Sequence, residues 1–258
     1  MSGACGIGKY LSRPGLGPGY SETMTEAQIL LLSAAAVGFL HTVFGPDHYV
    51  VFTAMGKARR WSLAKTLRIT FFCGVGHVAG SLVLGVLGLL LGAELASMVA
   101  IDGLRGGLAG WALLAFGLMY FAWGLRQAGR AHTHSHPHVH ADVVHEHQHD
   151  HHDEHTHVHD LDKRGSLTPW AIFIIFVLGP CEALIPLFMY PAARQSGALV
   201  LWVALVFSVA TLATMLAAVA ITRIGLDKLK LPTVGRWEHA VAGASVAACG
   251  IAITVIGL

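Results

Sequence analysis

Charge is scarce in this chain: Asp, Glu, Lys and Arg make up 12% of its 258 residues, against 54% hydrophobic residues and a mean hydropathy of +0.60. A soluble globule cannot cover itself with so little polar surface, so that class is excluded. Cysteine is also sparse. Cys5, Cys73, Cys181 and Cys249 stand far apart with no CxxC spacing, which excludes a disulfide framework and a zinc ribbon. There is no P-loop, so coupling to ATP would need a separate subunit. The first 25 residues are rich in Gly and Pro, with Lys9 and Arg13 but no apolar core. No cleavable signal peptide is expected there, and the first span should stay in the mature protein. A net charge of +2 gives no argument for nucleic acid.

What is present is apolar length. Runs near 27–55, 69–92, 107–125, 169–192, 198–222 and 239–258 each approach the ~20 residues a bilayer requires, predicting an all-α integral membrane protein of six transmembrane helices. The cationic residues after runs 1, 3 and 5 are Lys57, Arg59, Arg60, Lys65 and Arg68; Arg126, Arg130, Lys163 and Arg164; and Arg223, Lys228, Lys230 and Arg236. Lys9, Arg13, Arg105 and Arg194 are left for the other side. Cytoplasmic loops carry the excess, so both termini are expected outside the cytoplasm.

The chain also reads as a duplication with a shift of about 134 residues. Gly45-Pro46-Asp47-His48 aligns with Gly179-Pro180-Cys181-Glu182, and Val75–Ala79 with Val209–Ala213. At a shift of 133, Ala109, Gly110, Ala115, Gly117, Gly124 and Leu125 recur as Ala242, Gly243, Ala248, Gly250, Gly257 and Leu258. Three spans per unit is an odd number, so the second copy must enter the bilayer upside down. That is the plan of two inverted three-helix repeats, whose sites lie near mid-membrane at interrupted helices. The expected organisation is an extracytoplasmic tail over 1–25, a first repeat over 26–125, a cytoplasmic His-rich linker over 126–166 and a second repeat over 167–258.

Candidate site residues gather at the first Gly-Pro. Pro46 has no amide donor and crowds the carbonyl of Thr42, so the span should kink or unwind there, and freed backbone groups in hydrocarbon must line a cavity or be buried in protein. Asp47 is a charge near mid-bilayer costing about 2.5–3.5 kcal/mol to insert, which marks ion paths. His41 and His48 are seven apart and share a helix face to within ~20°. His77, between Gly76 and Gly80, can add a third imidazole. Imidazole suits nickel, cobalt, copper and zinc, whereas magnesium and calcium prefer oxygen. The expected metal residues are therefore His41, Asp47, His48 and His77, with Cys181, Glu182 and Thr211 as a possible second-repeat site. The bland alternative, imidazoles bonded singly to neighbouring helices, weakens when three histidines and an aspartate surround one kink. Metal capture should weaken as pH falls through ~6.5, because ligands must be deprotonated.

Thirteen of the seventeen histidines crowd one stretch: His132, His134, His136, His138, His140, His145, His147, His149, His151, His152, His155, His157 and His159. Interleaved with Asp142, Glu146, Asp150, Asp153 and Glu154, they read as a metal-buffering loop, disordered without metal. A cytoplasmic metallochaperone is a fitting partner. No organic cofactor and no enzymatic activity are expected.

His41-Thr-Val-Phe-Gly-Pro-Asp47-His48 and Gly76-His77 resemble the nickel/cobalt transporter superfamily, particularly its urease-accessory-type permease and histidine-loop efflux branches. The family's hallmark has four residues between the histidine and Asp-His, whereas this chain has five, and the hydroxyl residue that follows Gly-His is displaced to Ser81. The resemblance spans most of 27–258 and rests on about a dozen positions. It implies carriage of Ni²⁺ or Co²⁺, with Zn²⁺ a further candidate, across a bacterial cytoplasmic (inner) membrane. The histidine loop suits export and import alike; export is the favoured reading. A second resemblance, of Gly179-Pro180-Cys181 to the Pro-Cys breaks of membrane thiol-disulfide conduits, implies an electron conduit using Cys73 and Cys181. That family needs a cysteine at both breaks, and the first break here holds Asp47. A sensor or metallochaperone scaffold without transport would leave the inverted repeat unexplained.

Overall fold

The computed structural model describes residues 25–92, 95–129, 134–140, 143–149, 167–179, 181, 184–187, 196–228 and 235–256. Helix α1 (Glu26–Phe44) starts at a reciprocal cap, where Thr25 accepts from the Gln28 amide and the Gln28 side chain accepts from the Thr25 amide. It stops where the first break was expected. Gly45 is extended (φ −83°, ψ 95°), and Pro46, which has no N–H to continue the ladder, caps α2 (Asp47–Ala58). The α2 end closes through Arg60 N–H to the Lys57 carbonyl and Trp61 N–H to the Gly56 carbonyl, with Arg60 left-handed at φ 50°. This is the Schellman closure that usually takes glycine. Ser62 then caps α3 (Leu63–Leu90). Next come α4 (Leu95–Gly129), α5 (Leu167–Leu178), α6 (Gly197–Lys228) and α7 (Glu238–Ile251), the last extended by a π turn over Ala252–Ile256.

Among the described residues five helices are long and apolar enough to cross a membrane: Glu26–Phe44, Leu63–Leu90, Ala96–Gly129, Gly197–Lys228 and Gly235–Val255. The remaining one of the six expected runs, 169–192, is described only in part. The run over 169–192 is not one helix. The apolar helix α5 stops at Leu178, Cys181 is not helical, and helical geometry returns at Leu184–Leu187. The cause is local: Gly179 leaves the helix and is followed in sequence by a proline, a residue that has no N–H to continue the ladder.

The bundle is built with its polarity reversed from that of a soluble domain. Phe72, Leu90, Leu104, Trp111, Leu201 and Ile221 face outward, while Thr42, His48, Thr66, Thr70, His77, Ser81 and Thr211 are buried. Helices lying in lipid gain nothing from hiding leucine and instead associate through small residues that permit close packing. In the antiparallel α4–α7 seam, Gly117 lies on the backbone of Ala247, Gly124 on Ala240, Gly243 on Phe121 and Gly250 on Leu114, and Gly110 faces Ile253 and Thr254. Elsewhere Gly38 of α1 lies on the Phe207 carbonyl and Thr211 of α6, and Gly76 of α3 lies on Phe173 and Val177 of α5.

Polar ties gather at one end. Lys57 pairs with Asp227 at 2.7 Å, Arg59 donates to Thr168 at 2.6 Å and lies over the rings of Tyr120 and Trp123, and Arg223 donates to the Trp61 carbonyl at 3.2 Å. Tyr120 is hydrogen-bonded to His239 at 2.9 Å. Residues of the first and third cation-rich segments therefore meet in one region, beside Tyr120 and Trp123 of α4 and Thr168 of α5.

Part of the histidine stretch is described. Strands β1 (His134–His140) and β2 (Val143–His149) pair antiparallel, with His134 opposite His149, His136 opposite His147 and His138 opposite His145. Alternation with period two is a strand pattern, which accounts for the pairing. His132, His151, His152, His155, His157 and His159 lie outside the described residues.

Candidate metal centre

The break in α1 changes how His41 and His48 are related. Instead of sitting two turns apart on one straight helix, their rings meet edge to face with centroids 4.9 Å apart. His77 arrives from α3, its centroid 5.1 Å from His48 and 6.1 Å from His41. One ligand atom from each of the three lies within 4.8 Å of the others, so the group could hold a metal ion. His48 and His77 are almost wholly buried, at 3% and 2% exposure.

Both buried rings are oriented by a backbone carbonyl near a break, each of which also accepts a backbone N–H. His48 Nδ1 lies 3.2 Å from the Gly45 carbonyl and 3.2 Å from Asp47 Oδ1, while His77 Nδ1 lies 3.3 Å from the Phe176 carbonyl. A carbonyl can only accept, so each Nδ1 carries the proton and donates it. Each Nε2 is left with a bare lone pair, the tautomer a metal ligand needs. Neither His48 Nε2 nor His77 Nε2 has a hydrogen-bond partner among the described residues. A buried polar atom left that way costs about 1–3 kcal/mol, which a cation shared between the rings would offset. The walls are apolar: Phe176 stands 6.4 Å from the His48 ring and Phe207 6.5 Å from that of His41.

Asp47 falls outside the three-imidazole group. Its carboxylate stands behind His48, where it orients the ring and adds negative charge. It also lines, with His77, Ala109, Leu113, Phe176 and Gly179, a small cleft with room for about one water.

The second break reaches the same place. Cys181 is fully buried with Sγ 3.8 Å from His41 Nε2, and its amide donates to Ser81 Oγ at 3.1 Å. Thr211 is buried against Gly38, one turn from His41, and its Oγ1 has no hydrogen-bond partner among the described residues. Glu182 lies outside the described residues.

Sequence reasoning missed one pair. Arg105, expected on the extracytoplasmic side ahead of the third span, lies with Asp102 inside α4. Arg105 donates to the fully buried Asp102 at 2.7 Å and to the Val177 carbonyl at 3.0 Å. The available signal was their i, i+3 spacing, which lets opposite charges meet on one helix face.

No family model matches the chain, and no curated protein or solved structure matches it either.

Proposed function

We propose that this protein is a secondary transporter of divalent transition-metal ions, Ni²⁺ or Co²⁺ with Zn²⁺ also admissible, moving them outward across a bacterial cytoplasmic membrane. The observation that carries this reading is the convergence of His41, His48 and His77 inside a membrane bundle, with two buried Nε2 lone pairs unpartnered. Such a site fits an ion of borderline softness. The resemblance to the nickel/cobalt transporter superfamily points the same way, since Asp47, His48 and His77 are the residues that carry it.

Transport also requires two gates, and six spans in two inverted repeats would supply them. The α4–α7 seam supports that plan. Adding 133 to Gly117 and Leu114 yields Gly250 and Ala247, so the contact Gly117–Ala247 turns into Gly250–Leu114. The contact Gly110–Thr254 turns into Gly243–Phe121 in the same way. Pairs that exchange under a fixed shift are what a two-fold axis across two antiparallel helices generates. Each break also sets a glycine against a histidine of the site, Gly45 against His48 and Gly179 against His77.

The test is cell-associated nickel, cobalt and zinc in cells expressing the wild type, His48→Ala or a deletion of 132–159. Depletion by the wild type that disappears in His48→Ala supports export through this site, accumulation reverses the direction, and indifference to His48→Ala removes the site. The thiol-disulfide alternative has little geometric support. Cys181 binds Ser81, eight residues and about 12 Å along α3 from Cys73, whereas bridged Cα atoms lie ~4.4–6.8 Å apart. Cys73→Ala should leave metal carriage intact and would abolish electron transfer.

A further inference from the structure

We propose that Cys181 contributes a thiolate to the ion held by His41, His48 and His77, making the site a mixed imidazole–thiolate one and narrowing its cargo to ions that accept four-coordinate N,S ligation, Co²⁺ and Zn²⁺ ahead of Ni²⁺. This rests on the reading that the three histidines hold an ion.

Geometry comes first. Metal–sulfur and metal–nitrogen bonds of about 2.3 and 2.0–2.1 Å at the tetrahedral angle place the two donor atoms about 3.6 Å apart. Cys181 Sγ and His41 Nε2 are 3.8 Å apart, so one ion fits between them with little movement. The sulfur is also held in place. The Cys181 amide donates to Ser81 Oγ and its carbonyl accepts from the Leu184 amide at 2.9 Å, fixing the residue from both sides where the helix is interrupted. The buried, unpartnered Nε2 atoms of His48 and His77 are an independent sign that a ligand belongs here. Three imidazoles and one thiolate make the four donors of a closed tetrahedral shell.

Charge gives the second argument. Three neutral imidazoles leave a dication with its full +2 in an apolar bundle, which is costly. The first break delivers Asp47 behind His48, and the second delivers Cys181 at the corresponding repeat position. On binding, the S–H bond breaks, an S–metal bond forms and the proton leaves to solvent. The +2 of the ion is then balanced by one carboxylate and one thiolate. Thiolate is a poor ligand for Mg²⁺, Ca²⁺ and Mn²⁺, so those ions are excluded as cargo.

The experiment is titration of the purified full-length protein with Co²⁺, read by absorption. Expected are the ligand-field bands of four-coordinate cobalt together with a near-ultraviolet thiolate-to-cobalt charge-transfer band. Cys181→Ser should remove that band and weaken binding at this site at least tenfold, while Cys73→Ser keeps both. Cys181→Asp, which restores a negative donor, should recover binding without the band. A wild type lacking the band, or a band that persists in Cys181→Ser, overturns the thiolate assignment whatever the stability of the variants. Cobalt ligand-field bands unchanged by His48→Ala would overturn the three-histidine site itself, which is a separate failure.

Discussion

Arg105 reaches from α4 to the carbonyl of Val177, one turn before the second Gly-Pro, and donates to it at 3.0 Å while its other terminal nitrogen holds Asp102 at 2.7 Å. A guanidinium thus ties the end of the interrupted helix to its neighbour. Arg105→Leu leaves the Asp102 carboxylate buried without that counter-charge, and breaking such a pair from one side costs roughly 3–5 kcal/mol. The expected outcome is a clear fall in thermal unfolding temperature in detergent, with Arg105→Lys intermediate. Unchanged stability would show that the pair ties nothing.

At Gly45 there is no room for a side chain. A Cβ there would run into the His48 ring, whose position defines the site. Gly45→Ala should therefore weaken Co²⁺ binding at the three-histidine site at least tenfold. Gly179→Ala meets His77 Nδ1 and the Phe176 carbonyl only at 3.2 Å and should be milder. Titration of both variants, with circular dichroism to confirm folding, decides the order.

The α4–α7 seam predicts opposite effects for two substitutions in one helix. Gly117→Ala drives a Cβ into the Ala247 backbone and should cost about 1–3 kcal/mol through overpacking. Gly107→Ala has nothing within 4 Å of the added carbon and should be neutral or stabilising by up to ~1 kcal/mol through helix propensity. Unfolding midpoints of the two variants, compared directly, test this.

Lys57 and Asp227 form a 2.7 Å pair with both side chains about half exposed. Solvent screens such a pair. Asp227→Asn should shift stability by less than about 1 kcal/mol, and added salt should shrink even that difference.

Deleting 132–159 removes thirteen imidazoles and none of those at the centre. Equilibrium dialysis should show the loss of several weakly held equivalents of metal, with the tight mid-membrane equivalent retained. Disappearance of the tight equivalent as well would place the ion in the loop instead.

The membrane class, the break at Gly45-Pro46 and the grouping of His41, His48 and His77 were legible in the residues, because hydropathy and the lost proline donor act locally. The interruption near Gly179 was legible as well, though not that it would reduce the helix before it to twelve residues. The Asp102–Arg105 pair was hidden by treating charge as the end of a span, when α4 continues past both residues and buries them against α5. The period-two alternation of the histidine stretch matches the pairing of His134–His140 with Val143–His149.

By itself the sequence determined where the backbone must lose its hydrogen-bond ladder, which residues prefer lipid and which donor chemistry is on offer, since these depend on each residue and its near neighbours. Only the tertiary structure decided that carbonyls from two distant breaks would lock two imidazoles in one tautomer, that Asp47 would stand behind His48, and that Cys181 would come within 3.8 Å of His41. Those outcomes depend on how closely glycine-lined helices pack, a distance set jointly by both partners and written in neither segment alone.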